Sequence, residues 1–517
     1  MILESARPLR RIRPGTYLFF FVSFALLVFL THLPYFDLAF YWDELDYFIP
    51  AALDLFQEGR WVPHSTLAYP HPPGLMAYLA GVWRLFGYSI PATRAAMLLL
   101  ASASVFVVFL LAIQLCRGSR GAPAFAATLL VLVSPLFYAQ AMLAQMDLPA
   151  MLFTIWALLA FLQGRFLASA LLATALVLFK ETGLVVAPVF AWWLWRGGKR
   201  RQALYFVLPL VAVCGWLLAL ALSTGQLFGN TQFTEYNLFY PLHPARAAVA
   251  LLRRFHYLFL GNFHWLGWIA VLLAWRRSRI YSHQAWQVTA SLALAQILVV
   301  SLLGGATLER YLLPVIPLAC IAMAAAFSSL VSGWARLSQA ALVAGLLVCL
   351  FVNPPYPFPY ENNLAVTDFV RLQQSAAQFL EQRYPRRTVT TAWPFSAALR
   401  RPEFGYVRKR LSVREVTDFG PSHLAALPSS AVQVFVLYSK EWDPPVNLWR
   451  FPLFQTLRRR FYGWEPPVSP QDLEARFSLT PVAHWTRRGQ WITVFEKQPG
   501  ATGSNHVARL SPWTFTK

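Results

Sequence analysis

Two adjacent acids set among aromatic rings, Asp43 and Glu44 in the run from Tyr41 through Trp42 to Tyr47, are the first residues of this 517-residue chain placed to do chemistry. One carboxylate of such a pair can take the proton from a hydroxyl as its oxygen attacks a carbon centre. Aromatic faces beside it suit a sugar ring or an isoprenoid chain. The plain alternative is that both acids solvate a loop end beside a membrane, and the local motif leaves the two readings open. The same loop carries His64 and the run Tyr69-Pro70-His71-Pro72-Pro73-Gly74. Farther along, isolated charges interrupt apolar sequence at Asp147, at Lys180-Glu181 and at Glu309-Arg310. Asp147, followed by Leu148-Pro149, also reads as a helix N-cap. A cation such as Lys180 inside apolar sequence is costly unless paired. Glu181 is a ready partner for it, as Glu309 is for Arg310. Arg94 opens an apolar helix from which its head can snorkel. His64, His71, His243, His256 and His264 offer metal ligands together with Glu44. No pair of them has helical ligand spacing within a known motif, so no metal is assigned and a divalent cation stays a candidate only. Gly304-Gly305 reads as a helix end.

These groups must be held by membrane helices. The chain is 57% hydrophobic and only 13% charged, against roughly 25% charged in soluble proteins. Apolar runs near residues 17–33, 94–115, 122–139, 148–163, 167–179, 183–195, 203–222, 256–275, 286–303, 311–327 and 338–352 predict about eleven transmembrane helices. No small-residue cleavage site follows the first run, so it is expected to stay as an anchor behind Arg7, Arg10, Arg11 and Arg13. With the N-terminus cytoplasmic, the inner segments hold fifteen basic residues and the outer loops eight. That count needs residues 167–195 to form two short helices and not one. Of the eleven acids in residues 1–352, only Glu4 then lies inside, which puts the chemistry outside. The compact loops fit a bacterial inner (plasma) membrane. The net charge of +21 forms no stripe interleaved with aromatics, so nucleic acid is set aside as a partner. The four cysteines fall in apolar runs and form neither a disulfide framework nor a metal site.

Residues 1–352 therefore read as a membrane domain whose first outer loop is 34–92. The Pro-rich stretch from Asn353 to Pro359 reads as a stiff linker. Residues 353–517 read as a small extracytoplasmic α/β domain, with an amphipathic helix at 365–384, strands near 388–393 and 432–438, and a hairpin at 482–496 turning at Arg488-Gly489. Its charge of +9 suits anionic lipid or glycan.

The order of the Asp-Glu pair, the Pro-Pro, Leu85-Phe86-Gly87, Arg94, Ser134-Pro135, Asp147-Leu148-Pro149, Lys180-Glu181-Thr182 and the run from Glu309 through Arg310 to Pro314 resembles the GT-C superfamily of membrane glycosyltransferases. The branch it is most similar to holds protein O-mannosyltransferase-like enzymes, lipid A aminoarabinose transferases and rhizobial lipopolysaccharide core transferases. The likeness spans roughly residues 35–320. It implies an inverting transfer, outside the membrane, from a polyprenyl-phosphate sugar donor to a lipid, glycan or protein acceptor. By the same likeness Asp43 matches the catalytic base and Asp147 the second acid, with Glu44 beside them. Two carboxylates facing one cavity push one pKa toward that of a useful base. A phosphate leaving group calls for cations, and Lys180, Arg310 and Arg94 are the candidates. His64, Tyr69, His71, Glu181 and Glu309 are further candidates for substrate or metal contact.

The rival readings are a transporter or flippase of a lipid-linked or anionic substrate, and a scaffold holding cell-envelope polymers. A carrier places ionisable groups near the midplane, in repeated halves. Here no repeat is visible and the acids share one face. A scaffold leaves the Asp-Glu pair unexplained.

Overall fold

The computed structural model describes residues 14–117, 123–277, 279–330, 333–444 and 450–498. The expectations on Glu4 and on the arginines at 7, 10, 11 and 13 lie outside them. The chain divides into two compact units: 1–371 with 403–405 and 441–463, and 372–402 with 406–440 and 464–517.

The first unit is a helical membrane fold. Six helices among the described residues are long and apolar enough to cross a membrane, namely Pro14–Tyr35, Ile90–Leu115, Arg200–Thr224, Pro244–Arg277, Gln284–Leu302 and Gly333–Phe351. Shorter apolar helices include Pro123–Leu132, Asp147–Leu162, Phe166–Phe179 and Ile316–Ser329. Every expected apolar stretch falls on helix. The start signals are proline in the first turn, as at Pro91, Pro209 and Pro317, and the Ser89 hydroxyl accepting from the N–H of Ala92. Exposure sorts the helices by depth: in an 18-residue apolar window of Ile90–Leu115 72% of the residues are buried, against 11% in that of Pro14–Tyr35. A helix whose leucines and phenylalanines stay exposed is one that meets lipid.

The departures from expectation are breaks, and the breaks matter. The stretch near 122–139 splits at Ser134 into Pro123–Leu132 and Pro135–Gln140. The stretch near 167–195 is two helices, Phe166–Phe179 and Val186–Arg196, parted by an extended Lys180 and the tight turn Glu181–Val185. The stretch from Pro244 to Arg277 breaks at Asn262 and Phe263, both with positive φ. Helix Gly74–Phe86, inside the expected first loop, was not foreseen. Gly74 opens it because a Cβ there would sit 2.4 Å from the Leu178 carbonyl oxygen, so only glycine lets the two backbones touch.

The second unit is built on a five-stranded sheet. Its strands are β1 (Val389–Ala392), β2 (Val413–Val416), β3 (Val434–Tyr438), β4 (Leu479–Arg487) and β5 (Gln490–Lys497), in the order β2-β1-β3-β5-β4. β1 runs parallel to both β2 and β3, while β5 runs antiparallel to β3 and β4. The hairpin turns at Arg488-Gly489, both with positive φ, as the Arg-Gly pair predicts. β2 escaped sequence reading because its centre is Arg414-Glu415, exposed on an edge strand.

Candidate functional site

All groups of the site belong to the first unit. Helix Pro14–His32 is followed by a loop that reverses at Trp42, whose φ of +51° is rare for a bulky residue and costs roughly 1–3 kcal/mol. A single π-helical turn, Glu44–Phe48, comes next. This combination of strain and irregular helix presents Asp43 on one side and Glu44 on the other.

Glu44 points inward. Its carboxylate accepts from the backbone N–H of Tyr41 and of Ala144, both at 2.6 Å, and from Arg94 Nη1 and Nη2 at 2.6 and 3.2 Å. Arg94 also donates to the carbonyls of Leu38, Ala39 and Met142. Both side chains are 0% exposed, and every guanidinium N–H is used. The pair thus ties residues 38–44 to residues 142–144, the segment that leads into Asp147. The structure brings Glu44 and Arg94 to each other and not into contact with Arg310. Neither the snorkelling Arg94 nor a metal site on Glu44 survives this geometry, since all their polar atoms are engaged.

Asp147 is the first residue of helix Asp147–Leu162, but it is not the cap. The cap position falls on Met146 without a side-chain bond, and the Asp147 carboxylate turns to cations instead. Oδ1 accepts from Lys180 Nζ, and Oδ2 lies 3.3 Å from Arg310 Nε. Lys180 also sits 4.2 Å above the Tyr311 ring. Arg310 is the hub: Nη2 donates to Asp43 Oδ2 and Nη1 to Glu361 Oε2 at 3.1 Å. Burial opposes charge on Arg310, but Glu361, Asp43 and Asp147 override it and hold the guanidinium protonated. The adjacent acids pair elsewhere. Glu181 meets His71 Nδ1 at 2.7 Å, and Glu309 meets Arg253 and Asn362. Burial pushes the Glu181 carboxyl up, yet His71 and Lys180 leave it below the usual range.

Two members of the site were missed by sequence reading. Glu361, in the turn Tyr360–Asn362 just past the Pro-rich stretch, is 2% exposed; it accepts from Gln145 Nε2 at 3.3 Å as well as from Arg310. Burial pushes its carboxyl up to about 7, against the pull of Arg310. Arg254, also 2% exposed, lies 5.8 Å from the Tyr311 ring and donates only to the Ala250 carbonyl, at 3.3 Å; its Nε and Nη2 have no partner among the described residues. An unpaired acid or base next to apolar sequence was the signal used, and Arg253-Arg254 in an amphipathic helix did not give it.

Around Asp43 stand aromatic rings. Tyr47 packs edge-on to Tyr69 at 5.6 Å, Tyr69 stacks on Phe233 at 6.2 Å, and His71 lies 5.4 Å from Tyr69. Within the cluster Asp43 is the most open acid, with 18% of its side chain exposed against 5% for Asp147 and 3% for Glu361. His64 is elsewhere, in a group with Asp54 and Glu58 whose ligand atoms fall within 4.8 Å of one another. Asp54 there already accepts from the N–H groups of His64 and Ser65, and both His64 ring nitrogens face carboxylates. Contacts within the group thus already engage its ligand atoms. Of the remaining candidates, His243 caps helix Pro244–Phe255, His264 binds the Tyr257 carbonyl, and His256 stands edge-on to the Tyr356 ring at 5.1 Å.

No protein-family model matches the sequence, and no curated protein matches it by sequence. By structure the chain is similar to ArnT from Cupriavidus metallidurans in the apo state, with a TM-score of 0.52 at 16% identity, covering 93% of this chain and 98% of that one. It is similar to the same protein bound to undecaprenyl phosphate, with a TM-score of 0.51 at 15% identity over the same shares. The archaeal oligosaccharyltransferase AglB from Archaeoglobus fulgidus, in complex with an inhibitory peptide and a dolichol-phosphate, matches at a TM-score of 0.49 and 12% identity, over 83% of this chain and 70% of that one.

Proposed function

Since the chain carries the GT-C fold of membrane glycosyltransferases, we propose that it moves a sugar from a polyprenyl phosphate to an acceptor hydroxyl on the extracytoplasmic face, inverting the anomeric centre. The observation that carries this reading is the Arg310 hub: an acid with an open side, Asp43, held beside buried cations at the mouth of the first loop. In the reaction Asp43 takes the acceptor proton as the acceptor oxygen attacks the anomeric carbon. The bond from that carbon to the phosphate oxygen breaks, and the lipid phosphate leaves with the electron pair. Lys180, Arg310 and Arg254, which surround the Tyr311 ring, meet the phosphate and its growing charge. Asp147 orients Lys180 and Arg310. Glu44 and Arg94 act as positioning residues that fix Asp43 and the segment before Asp147, for neither has a polar atom left for substrate. Tyr47, Tyr69, Phe233 and His71 supply ring faces for sugar or isoprenoid. Undecaprenyl phosphate on ArnT supports a lipid phosphate as the donor's anchor here. The acceptor is a lipid, glycan or protein hydroxyl. What favours an enzyme over a carrier is that Asp147, Lys180 and Arg310 converge beside the open acid Asp43 and that no internal repeat is visible in the sequence.

The test is transfer from a panel of labelled polyprenyl-phosphate sugars by purified protein, with native membrane lipid extract as acceptor. Label should enter a new product with wild type and not with Asp43→Asn, which keeps the fold. Wild-type turnover by that variant would remove Asp43 as base.

A further inference from the structure

The expected site holds two acids, Asp43 and Asp147; the third, Glu361, has no task in the transfer itself. Its surroundings are unusual for a carboxylate. Oε2 takes Arg310 Nη1 and Gln145 Nε2, while Oε1 is buried with no donor to it among the described residues. Facing it are Arg310 from the turn Glu309–Leu312, Asp43 and Tyr41 from the first loop, and Asp147 from the helix that Gln145 precedes. On its own turn, Tyr360 flanks it and Asn362 binds Glu309, the partner of Arg253. The neutral Gln140 amide reaches its backbone carbonyl at 3.4 Å. Counting charge around Tyr311, the cations Lys180, Arg254 and Arg310 face the carboxylates of Asp43, Asp147 and Glu361. The cluster is balanced as it stands. An entering lipid phosphate adds one negative charge where uncompensated charge is expensive.

We propose that Glu361 is a proton-coupled positioning residue: it holds Arg310 Nη1 while the site is empty, and it takes up one proton as a phosphate anion arrives, freeing that N–H for the phosphate. This rests on the reading of Arg310 as a donor-phosphate ligand. The proton comes from solvent and stays on the Glu361 carboxyl, so the loaded cluster is again balanced. The buried Oε1 is the atom without a competing donor, and hence a place for the proton. A carboxyl already pushed up to about 7 by burial needs little further perturbation to do this near neutral pH.

The experiment measures binding of a short-chain polyprenyl methyl phosphate, a diester with one fixed negative charge, to the detergent-purified full chain. If only the protonated form of a group titrating at about 7 binds well, the wild-type Kd rises about tenfold from pH 6 to pH 8. Glu361→Gln, a neutral isostere, should bind at pH 8 as wild type binds at pH 6, within about twofold. Glu361→Asp should restore a pH step, which a merely structural side chain would not. Calorimetry of wild type at pH 8, in buffers of different ionisation enthalpy, should show nearly one proton taken up per diester; it stands even if Glu361→Gln fails to fold. A flat wild-type Kd, zero proton uptake, or an unchanged pH step in Glu361→Gln overturns the proposal. Arg310→Ala separates the two failures. Wild-type binding by that variant sinks the donor-site reading, whereas lost binding without proton uptake in wild type sinks only the role of Glu361.

Discussion

Arg94→Leu separates a structural ion pair from a substrate contact. In the folded chain Arg94 donates to both oxygens of Glu44 and to three backbone carbonyls, with no exposure. Leucine keeps much of the volume but leaves Glu44 charged and buried, with only the N–H groups of Tyr41 and Ala144 for company. Breaking a buried pair in this way costs about 3–5 kcal/mol. For a chain of this size each kcal/mol moves the melting temperature by roughly 2–4 °C or less, so a fall of about 5–15 °C is expected. Removing the orphaned charge as well should help: Glu44→Gln in the same chain takes the buried charge away but keeps an acceptor oxygen for only one of the two N–H groups, so it should return part of the loss. The assay is intrinsic-fluorescence melting of wild type, both single variants and the double variant in one detergent, with diester binding measured alongside. If Arg94→Leu melts with wild type and yet loses the lipid phosphate, Arg94 is the phosphate contact for which the sequence made it a candidate, and the argument from saturation fails.

The other predictions concern cost and charge. Arg254→Met should raise the melting temperature of the empty protein, because it removes a buried cation with two unpartnered nitrogens, and should weaken diester binding about tenfold; a loss of stability would show that Arg254 has a structural partner. Gly74→Ala should cost about 1–3 kcal/mol and lower turnover, because its Cβ meets the Leu178 carbonyl two residues before Lys180; melting and transfer rates check both. The raised Glu361 carboxyl also makes stability depend on pH. Folded Glu361 keeps its proton up to about 7, whereas the unfolded chain loses it from about 4.5, so unfolding releases a proton between these values. The contribution is complete below 4.5 and is lost as pH rises to 7, by roughly 3 kcal/mol. Wild type should melt like Glu361→Gln at the acid end of that window and fall progressively below it as pH rises to 7; a gap that closes with rising pH would show the sign to be wrong.

The membrane helices could be read from the sequence, and so could most of the charges that the fold gathers into one cluster. A membrane excludes charge so strongly that each ionisable group left among apolar runs stands out, and Asp43, Asp147, Lys180 and Arg310 were legible for that reason. Helix positions were equally legible, because twenty or so apolar residues have few other uses. Partners were not. Lys180 sits next to Glu181 and Arg310 next to Glu309, yet neighbours in a tight turn diverge, so Lys180 pairs across the bundle with Asp147, and Arg310 with Asp43 and Glu361. Glu44 looked like half of a catalytic pair, until the turn begun at Trp42 sent it inward to Arg94. Glu361 lay beyond a proline-rich stretch that read as a boundary, and Arg254 beside another arginine in an amphipathic helix. Only the packing of the Tyr360–Asn362 turn and of that helix against Gln145, Arg310 and Tyr311 decided that they belong to the site. Local sequence sets which groups resist burial; which charges answer one another is a property of distance in space, and that is settled only when the helices have packed.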